Sequence, residues 1–189
     1  MFENPVLLIM LFIITIALFG LVIIFKSYKK PKEGEALLIS GARGKRVTFS
    51  GTIVIPFLEK VESVSIKIHQ IEVFLEGKSG IVTKDNIIAD VKATFSVRVN
   101  LDPIDIIRVA LTYGSQLTYN KEEVSQIFRP KFGEIIRVGA SALDFEAIKN
   151  QPEAFKMEVF NGVGMDLNGF MLDDLAINYL TATAKRLDI

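Results

Sequence analysis

An α+β fold behind an N-terminal transmembrane helix is predicted by three observations. An uncharged apolar run opens the chain, segments with a two-residue period follow it, and segments with a helical period come after those, before one last strand pattern. Strands gathered ahead of helices lead to a mainly antiparallel sheet with helices packed on one face, whereas a doubly wound sheet would alternate the two. The 189 residues divide accordingly into an anchor at 1–30 with its span at about 5–25, one domain at 31–180 and a short tail at 181–189.

The opening run, from Val6 to Phe25, is broken only by Thr15 and Gly20. As a helix rising about 1.5 Å per residue it reaches roughly 30 Å, the thickness of a hydrocarbon core. Val6, Leu7, Leu8, Phe12, Leu18, Phe19, Ile24 and Phe25 are the anchor residues this reading selects. A secretory signal peptide would have a basic start and a small-residue cleavage site, but Met1-Phe2-Glu3-Asn4-Pro5 has no basic side chain and no A-x-A pattern follows. A retained anchor is expected, crossing once. Lys26, Lys29, Lys30 and Lys32 all lie downstream, with only Glu3 upstream, so the positive-inside rule places the bulk of the chain in the cytoplasm.

Lysine and arginine together number 22 and so do aspartate and glutamate. The zero net charge lacks the basic excess that phosphate binding requires, so nucleic acid is not an expected partner. With no cysteine, thiol catalysis, thiolate metal sites and disulfides are excluded.

After the polar linker at 29–34, Glu35 to Ile39 reads as a first strand, and Gly41, Gly44 and Gly51 punctuate short strands at Val47–Phe49 and Thr52–Ile55. Residues 61–75 form the first long strand signal. Val64, Ile66 and Ile68 give way to Ile71, Val73 and Leu75, so the phase slips at His69-Gln70, which implies a bulge or a change of sheet face. From 89 to 99 the alternation is clean: Ala89, Val91, Ala93, Phe95, Val97 and Val99 face one way, and Asp90, Lys92, Thr94, Ser96 and Arg98 the other.

Asp102-Pro103 opens a short helix, to about Leu111, whose apolar face is expected at Ile104, Ile107 and Leu111. Asn120-Lys121-Glu122-Glu123 resembles a capping box and starts a longer helix through Val124, Ile127, Phe128, Phe132, Ile135 and Ile136, which Pro130 should kink or split. A further helix is expected from about Pro152 to Leu167, stopped at Asn168-Gly169. Phe170, Leu172, Leu175, Ile177 and Tyr179 then suggest a final strand.

The inventory for catalysis is thin. His69 is the only imidazole and sits at the strand irregularity, where a structural role outweighs one as general base. Asp173 and Asp174 are adjacent and would face opposite sides of a strand, so they do not form a pair on one substrate. Gly41-Ala42-Arg43-Gly44-Lys45-Arg46 fails as a phosphate loop, since its glycines are too close together and Arg46 stands where a hydroxyl is needed. No catalytic, cofactor or metal residues are assigned. Arg43, Lys45 and Arg46 are instead candidate lipid-headgroup contacts beside Lys26, Lys29, Lys30 and Lys32, each worth about 1 kcal/mol near an anionic surface. Asp90, Lys92 and Arg98 carry both signs of charge on one strand face and are candidate contacts between copies.

The order of these pieces carries a resemblance. An N-terminal membrane segment, the hairpin ALLISGARGKRVTFSG, the stretch TIVIPFLEKVESVSI, then GIVTKDNIIADVKATFSVRV and a late helix leading into GMDLNGFMLDDLAI resemble the SPFH or band 7 superfamily, nearest its flotillin-like branch, over about residues 34–180. That resemblance implies a membrane scaffold without an enzyme activity, bound to the lipid bilayer, assembling side by side into a homo-oligomeric ring or cage and organising microdomains or membrane complexes. It also implies a possible second role as regulatory adaptor of a membrane protein, of the NfeD type or a protease. In that branch the N-terminal segment is an alternative hairpin or partial insertion, and in the wider superfamily some domains are periplasmic. Members usually continue into a long coiled coil. Thr181 to Ile189 shows no heptads, so either this is a short or truncated member or another chain supplies the wall.

Overall fold

The computed structural model of the protein describes residues 5–42, 44–164 and 167–185. The chain forms two compact units, one ending at Ser63 and the other beginning at Val64.

In the first unit the apolar run is one helix, α1 (Pro5–Ser27). Five strands follow: β1 (Tyr28–Lys29), β2 (Glu35–Gly41), β3 (Gly44–Thr48), β4 (Thr52–Ile53) and β5 (Glu59–Ser65), the last of which crosses the boundary between the units. β2 is the middle strand between β3 and β5. Ala36, Leu37, Leu38 and Ile39 are buried in succession, so both faces of β2 are covered. β1 leaves the helix directly and pairs antiparallel with β4, Tyr28 opposite Ile53 and Lys29 opposite Thr52.

The second unit is an antiparallel sheet of β6 (His69–Leu75), β7 (Ile81–Val82), β8 (Ile87–Val99) and β9 (Phe170–Lys185), with α2 (Pro103–Thr112), α3 (Lys121–Ser141), α4 (Phe145–Asn150) and α5 (Pro152–Val163) between β8 and β9 in the chain. β8 is central: β6 and β7 pair along one side of it and β9 along the other. Ile71, Val73 and Leu75 of β6 and the alternate residues from Ala89 to Val99 of β8 are buried on one face. The ring of Phe95 stacks there on Phe132 of α3, centroids 4.1 Å apart. Phe132 continues to Phe128, and Phe128 meets Phe170 edge-on at 5.1 Å. An aromatic line thus joins a central strand, the longest helix of this unit and the start of the final strand. The fold is α+β with mostly antiparallel strands, and its class follows the predicted order of elements.

Several local expectations are corrected. The signal at 61–75 is two strands in different sheets, β5 with β2 and β6 with β8, separated at residues 66–68. The slip in phase therefore marks a change of sheet. α2 buries Ile106 and Val109, while Ile104 and Leu111 are 67% and 65% exposed. The reason lies in the turn before β9. Gly169 has φ +93°, and a Cβ there would lie 2.7 Å from the Asp105 carbonyl oxygen and 2.8 Å from Val109 Cγ2, so this turn claims the Asp105–Val109 side of the helix.

α3 runs through Pro130 without splitting, held by Val124 and Phe128 before the proline and Phe132 and Ile136 after it. Its cap is Asn120, whose Oδ1 accepts from the N–H groups of Glu122 and Glu123 at 3.0 and 3.3 Å. The reciprocal arm of a capping box differs here, since the Glu123 carboxylate accepts from the Asn120 side-chain amide and not from its backbone. α5 ends at Val163, before Gly164, and α4 was not anticipated. β9 continues to Lys185, into the segment read as a tail.

Candidate functional site

Two surfaces hold the residues singled out in the sequence, one in each unit. In the first, Val6, Leu8, Phe12, Leu18, Phe19 and Phe25 are exposed along α1, and Leu7 and Ile24 belong to the same helix. From Leu8 to Ser27 this helix is long and apolar enough to cross a membrane, and its described apolar side chains are exposed. Lys26, Lys29, Lys30 and Lys32 are exposed at or beyond its end, and Lys45 is exposed on β3. Arg43 lies outside the described residues.

Arg46 does something else. Its guanidinium bonds both oxygens of Glu59, at 2.7 and 3.1 Å, and reaches the Ile53 carbonyl at 3.5 Å. The same Glu59 carboxylate, 5% exposed, accepts the Ile55 N–H at 2.9 Å. The turn Ile55–Glu59 is closed by Leu58 and Glu59 N–H groups donating to the Ile55 carbonyl at 3.3 and 3.1 Å. Arg46 thus braces a loop from below. At the other end of that loop, Val54 N–H donates to the carbonyl of Ser27, the last residue of α1, at 2.9 Å. The Tyr28 ring covers Gly51, where a Cβ would occupy the ring's place.

In the second unit, Asp90, Lys92 and Arg98 lie on the face of β8 opposite the helices, and each is engaged within the chain. Asp90 accepts the Gly77 N–H at 2.8 Å, Lys92 pairs with Glu72 of β6 at 2.9 Å, and Arg98 donates to Asp173 of β9 at 3.0 Å. The ammonium of Lys92, by hydrogen bond and charge, holds the Glu72 carboxyl below the usual carboxylate range, with smaller help from Lys121 and Arg129.

The register of β9 against β8 skips one residue at Asp173, at Asn178 and at Thr183, a bulge every five residues. Two of these extra residues reach back over β8, Asp173 to Arg98 and Asn178 to the Thr94 hydroxyl at 2.8 Å. Bulges of this kind coil an edge strand and blunt it against further strand pairing.

Two residues on this face were not selected from the sequence. Phe74 stands opposite Lys92 from β6, and Tyr179 stands opposite Lys92 from β9. Both rings are about half exposed, so the polar face carries an aromatic, a cation and an aromatic in one row. Phe74 had a readable signal: it is apolar and out of phase with Ile71, Val73 and Leu75. Asp173 and Asp174 have separate cationic partners, Arg98 and, at 3.6 Å, Lys156. His69 Nε2 donates to the Thr118 carbonyl at 2.9 Å, tying the start of β6 to the turn before α3. Among the described residues no three acidic or histidine side chains are grouped to hold a metal.

The profile of the SPFH domain / Band 7 family matches residues 22–182, and the chain belongs to that family. It is similar to the flotillin family inner membrane protein YqiK of Escherichia coli (strain K12), 28% identical over 172 residues, which is 89% of this chain and 31% of the relative. It is also similar to the flotillin family inner membrane protein sll1021 of Synechocystis sp. (strain ATCC 27184 / PCC 6803 / Kazusa), 24% identical over 184 residues, 93% of this chain and 27% of the relative. The chain therefore spans about a third or less of the length of these curated relatives. Within the family its likeness is to the flotillin branch.

Proposed function

We propose that this protein is a membrane-anchored scaffold that assembles side by side with copies of itself and organises a patch of membrane or a membrane complex. The observation that carries the reading is α1, an apolar helix of membrane-crossing length whose described apolar side chains are exposed, borne by an SPFH-family domain. Both relatives are described as inner membrane proteins of the flotillin family, which supports the same location. Confinement to two dimensions raises the effective concentration of weak lateral contacts, so modest surfaces suffice for a ring.

The polar sheet face is the contact surface assigned here. Asp90, Lys92 and Arg98 already have partners within the chain, so their role is to set a pattern of charge. Phe74 and Tyr179 supply the apolar area at its centre. The downstream lysines orient the domain towards the cytoplasm, and no bond chemistry belongs to this role.

Light scattering on protein extracted in mild detergent tests the proposal. A species many times the mass of one chain is expected. A strict monomer that also stays dispersed in membranes would remove the scaffold reading, and a single stoichiometric membrane partner recovered from native membranes would replace it with an adaptor role.

A further inference from the structure

α2 has two apolar sides, and its own chain buries one of them. With about 3.6 residues per turn, Ile104, Ile107 and Leu111 fall within about 60° of arc, and Ile106 and Val109 lie on the opposite side. Ile106 and Val109 are buried, Val109 against the turn at Gly169. Ile104 and Leu111 are exposed, Ile107 is partly so, and Leu101, two residues before the helix, is exposed as well. Branched aliphatic side chains at helical spacing on a solvent side are the pattern of a helix that packs a second time.

The polar sheet face needs a counterpart on the next copy, and the membrane restricts what that can be. Chains threaded the same way through a bilayer share one direction along its normal. A face that meets the same face of a second copy does so about a two-fold axis along that normal, and the contact closes with two chains. A larger ring requires the face to meet a different surface of its neighbour. One chain presents both surfaces. α2 is capped by Tyr113, whose ring meets Phe170 of the buried aromatic line edge-on at 6.2 Å, so this helix stands on the covered side of the sheet. The Phe74–Lys92–Tyr179 row is on the bare side.

We propose that the exposed apolar side of α2 in one chain seats on the Phe74–Lys92–Tyr179 row of the next. This rests on the reading of the protein as a laterally assembling scaffold. The sheet already takes a helix in this manner on its covered side, where Phe132 of α3 stacks on Phe95. On the bare side the rings of Phe74 and Tyr179 form the apolar floor, and Ile104, Ile107 and Leu111 the ridge laid on it. The charges agree in order. Along β8 the bare face runs from Arg98 to Asp90, with the Glu72 carboxylate exposed beside Lys92. α2 runs from Asp102 to Arg108, whose side chain is 48% exposed next to the ridge. Laid with its start towards Arg98, the helix brings acid to base at one end and Arg108 towards Glu72 and Asp90 at the other. The occupant of each row is therefore a second copy of this chain, which carries one ridge for every row.

The chain contains no cysteine, so paired substitutions place thiols at chosen positions only. Full-length Phe74→Cys/Leu111→Cys and Tyr179→Cys/Ile104→Cys, extracted in mild detergent, are treated with a short bismaleimide. Each single variant is treated alongside, and Phe74→Cys/Lys149→Cys serves as a control for random collision. The expected result on a denaturing gel is a ladder of dimers, trimers and larger species from at least one of the two pairs, with the single variants and the control left monomeric. Dimers from Phe74→Cys alone overturn the proposal, because the sheet face then meets itself, and dimers from Leu111→Cys alone do so for the helix. Both pairs unlinked in a sample that still scatters as a large species also overturn it, since another surface then covers the row. A control ladder as strong as that of the pairs has the same effect. A parent chain that scatters as a strict monomer removes the scaffold reading, and the contact falls with it. Where a cysteine pair disperses the assembly of the parent, Ala176→Cys/Thr112→Cys, which keeps both rings and all three aliphatic residues, takes its place and is read in the same way.

Discussion

Arg46 and Glu59 meet through both carboxylate oxygens, at 2.7 and 3.1 Å, and this pair joins β3 to the start of β5 beneath the loop that projects Phe57. Arg46→Ala leaves a carboxylate that is almost wholly buried without its guanidinium. We expect a loss of roughly 1–3 kcal/mol in denaturant unfolding of the detergent-solubilised protein. Arg46→Lys should recover only part of it, because one ammonium cannot match the two-pronged geometry.

The aromatic stack and the exposed row offer a contrast between stability and assembly. Phe132 is fully buried against Phe95, so Phe132→Ala should cost about 3–5 kcal/mol and show a lowered melting temperature. Phe74→Ala should change stability by no more than about 0.5 kcal/mol, as expected at an exposed site. If the polar sheet face joins copies, Phe74→Ala nonetheless lowers the assembled fraction seen by light scattering. An unchanged fraction with Phe74 and Tyr179 both replaced by alanine would remove that face from the interface.

Gly169→Ala is expected to be among the more damaging small substitutions. It combines a positive φ with a Cβ placed 2.7 Å from the Asp105 carbonyl oxygen. A cost of about 1–3 kcal/mol is expected, read as a shifted unfolding midpoint. Relaxation would move α2 away from the turn, so the loosened amides should be those of Ile106 to Thr112 in hydrogen exchange.

The Glu72–Lys92 pair carries a pH signature. Because the folded-state value of Glu72 is lowered, its ionised form is favoured by folding. Its contribution is present above the ordinary carboxylate value and is lost as pH falls through the lowered one. Lys92→Ala should return the Glu72 titration, followed by NMR of its side-chain carboxyl, to the ordinary range. A Glu72 titration that does not move would show that Lys121 and Arg129 set its value instead.

How much was legible can be argued from single elements. The face of β8 was readable because one side of that strand is buried and the other is not, which imprints a strict two-residue alternation on Ala89 to Val99. The bulges of β9 had left a trace that passed unused. Phe170 and Leu172 are in one phase, Leu175, Ile177 and Tyr179 in the other, and Leu180 returns to the first. α2 was misread because it has more apolar residues than a single buried stripe can take, and only the neighbour at Gly169 selects among them. The Arg46–Glu59 pair had no local signal, since its members are thirteen positions apart on strands separated by a turn.

By itself the sequence determined the apolar span, the class of fold and the family, because each depends on periodicity, length or the order of pieces along the chain. Tertiary structure decided which polar groups are spent internally. Asp90, Lys92, Arg98 and Arg46 read as available charges in the sequence, and folding gives each a partner, since a polar group near a packed surface gains by satisfying its hydrogen bonds within the chain. It also decided which apolar groups are left over. Phe57, Phe74 and Tyr179 resemble core residues by type, and only the turn at Ile55–Glu59 and the packing of β6 and β9 leave them facing outward.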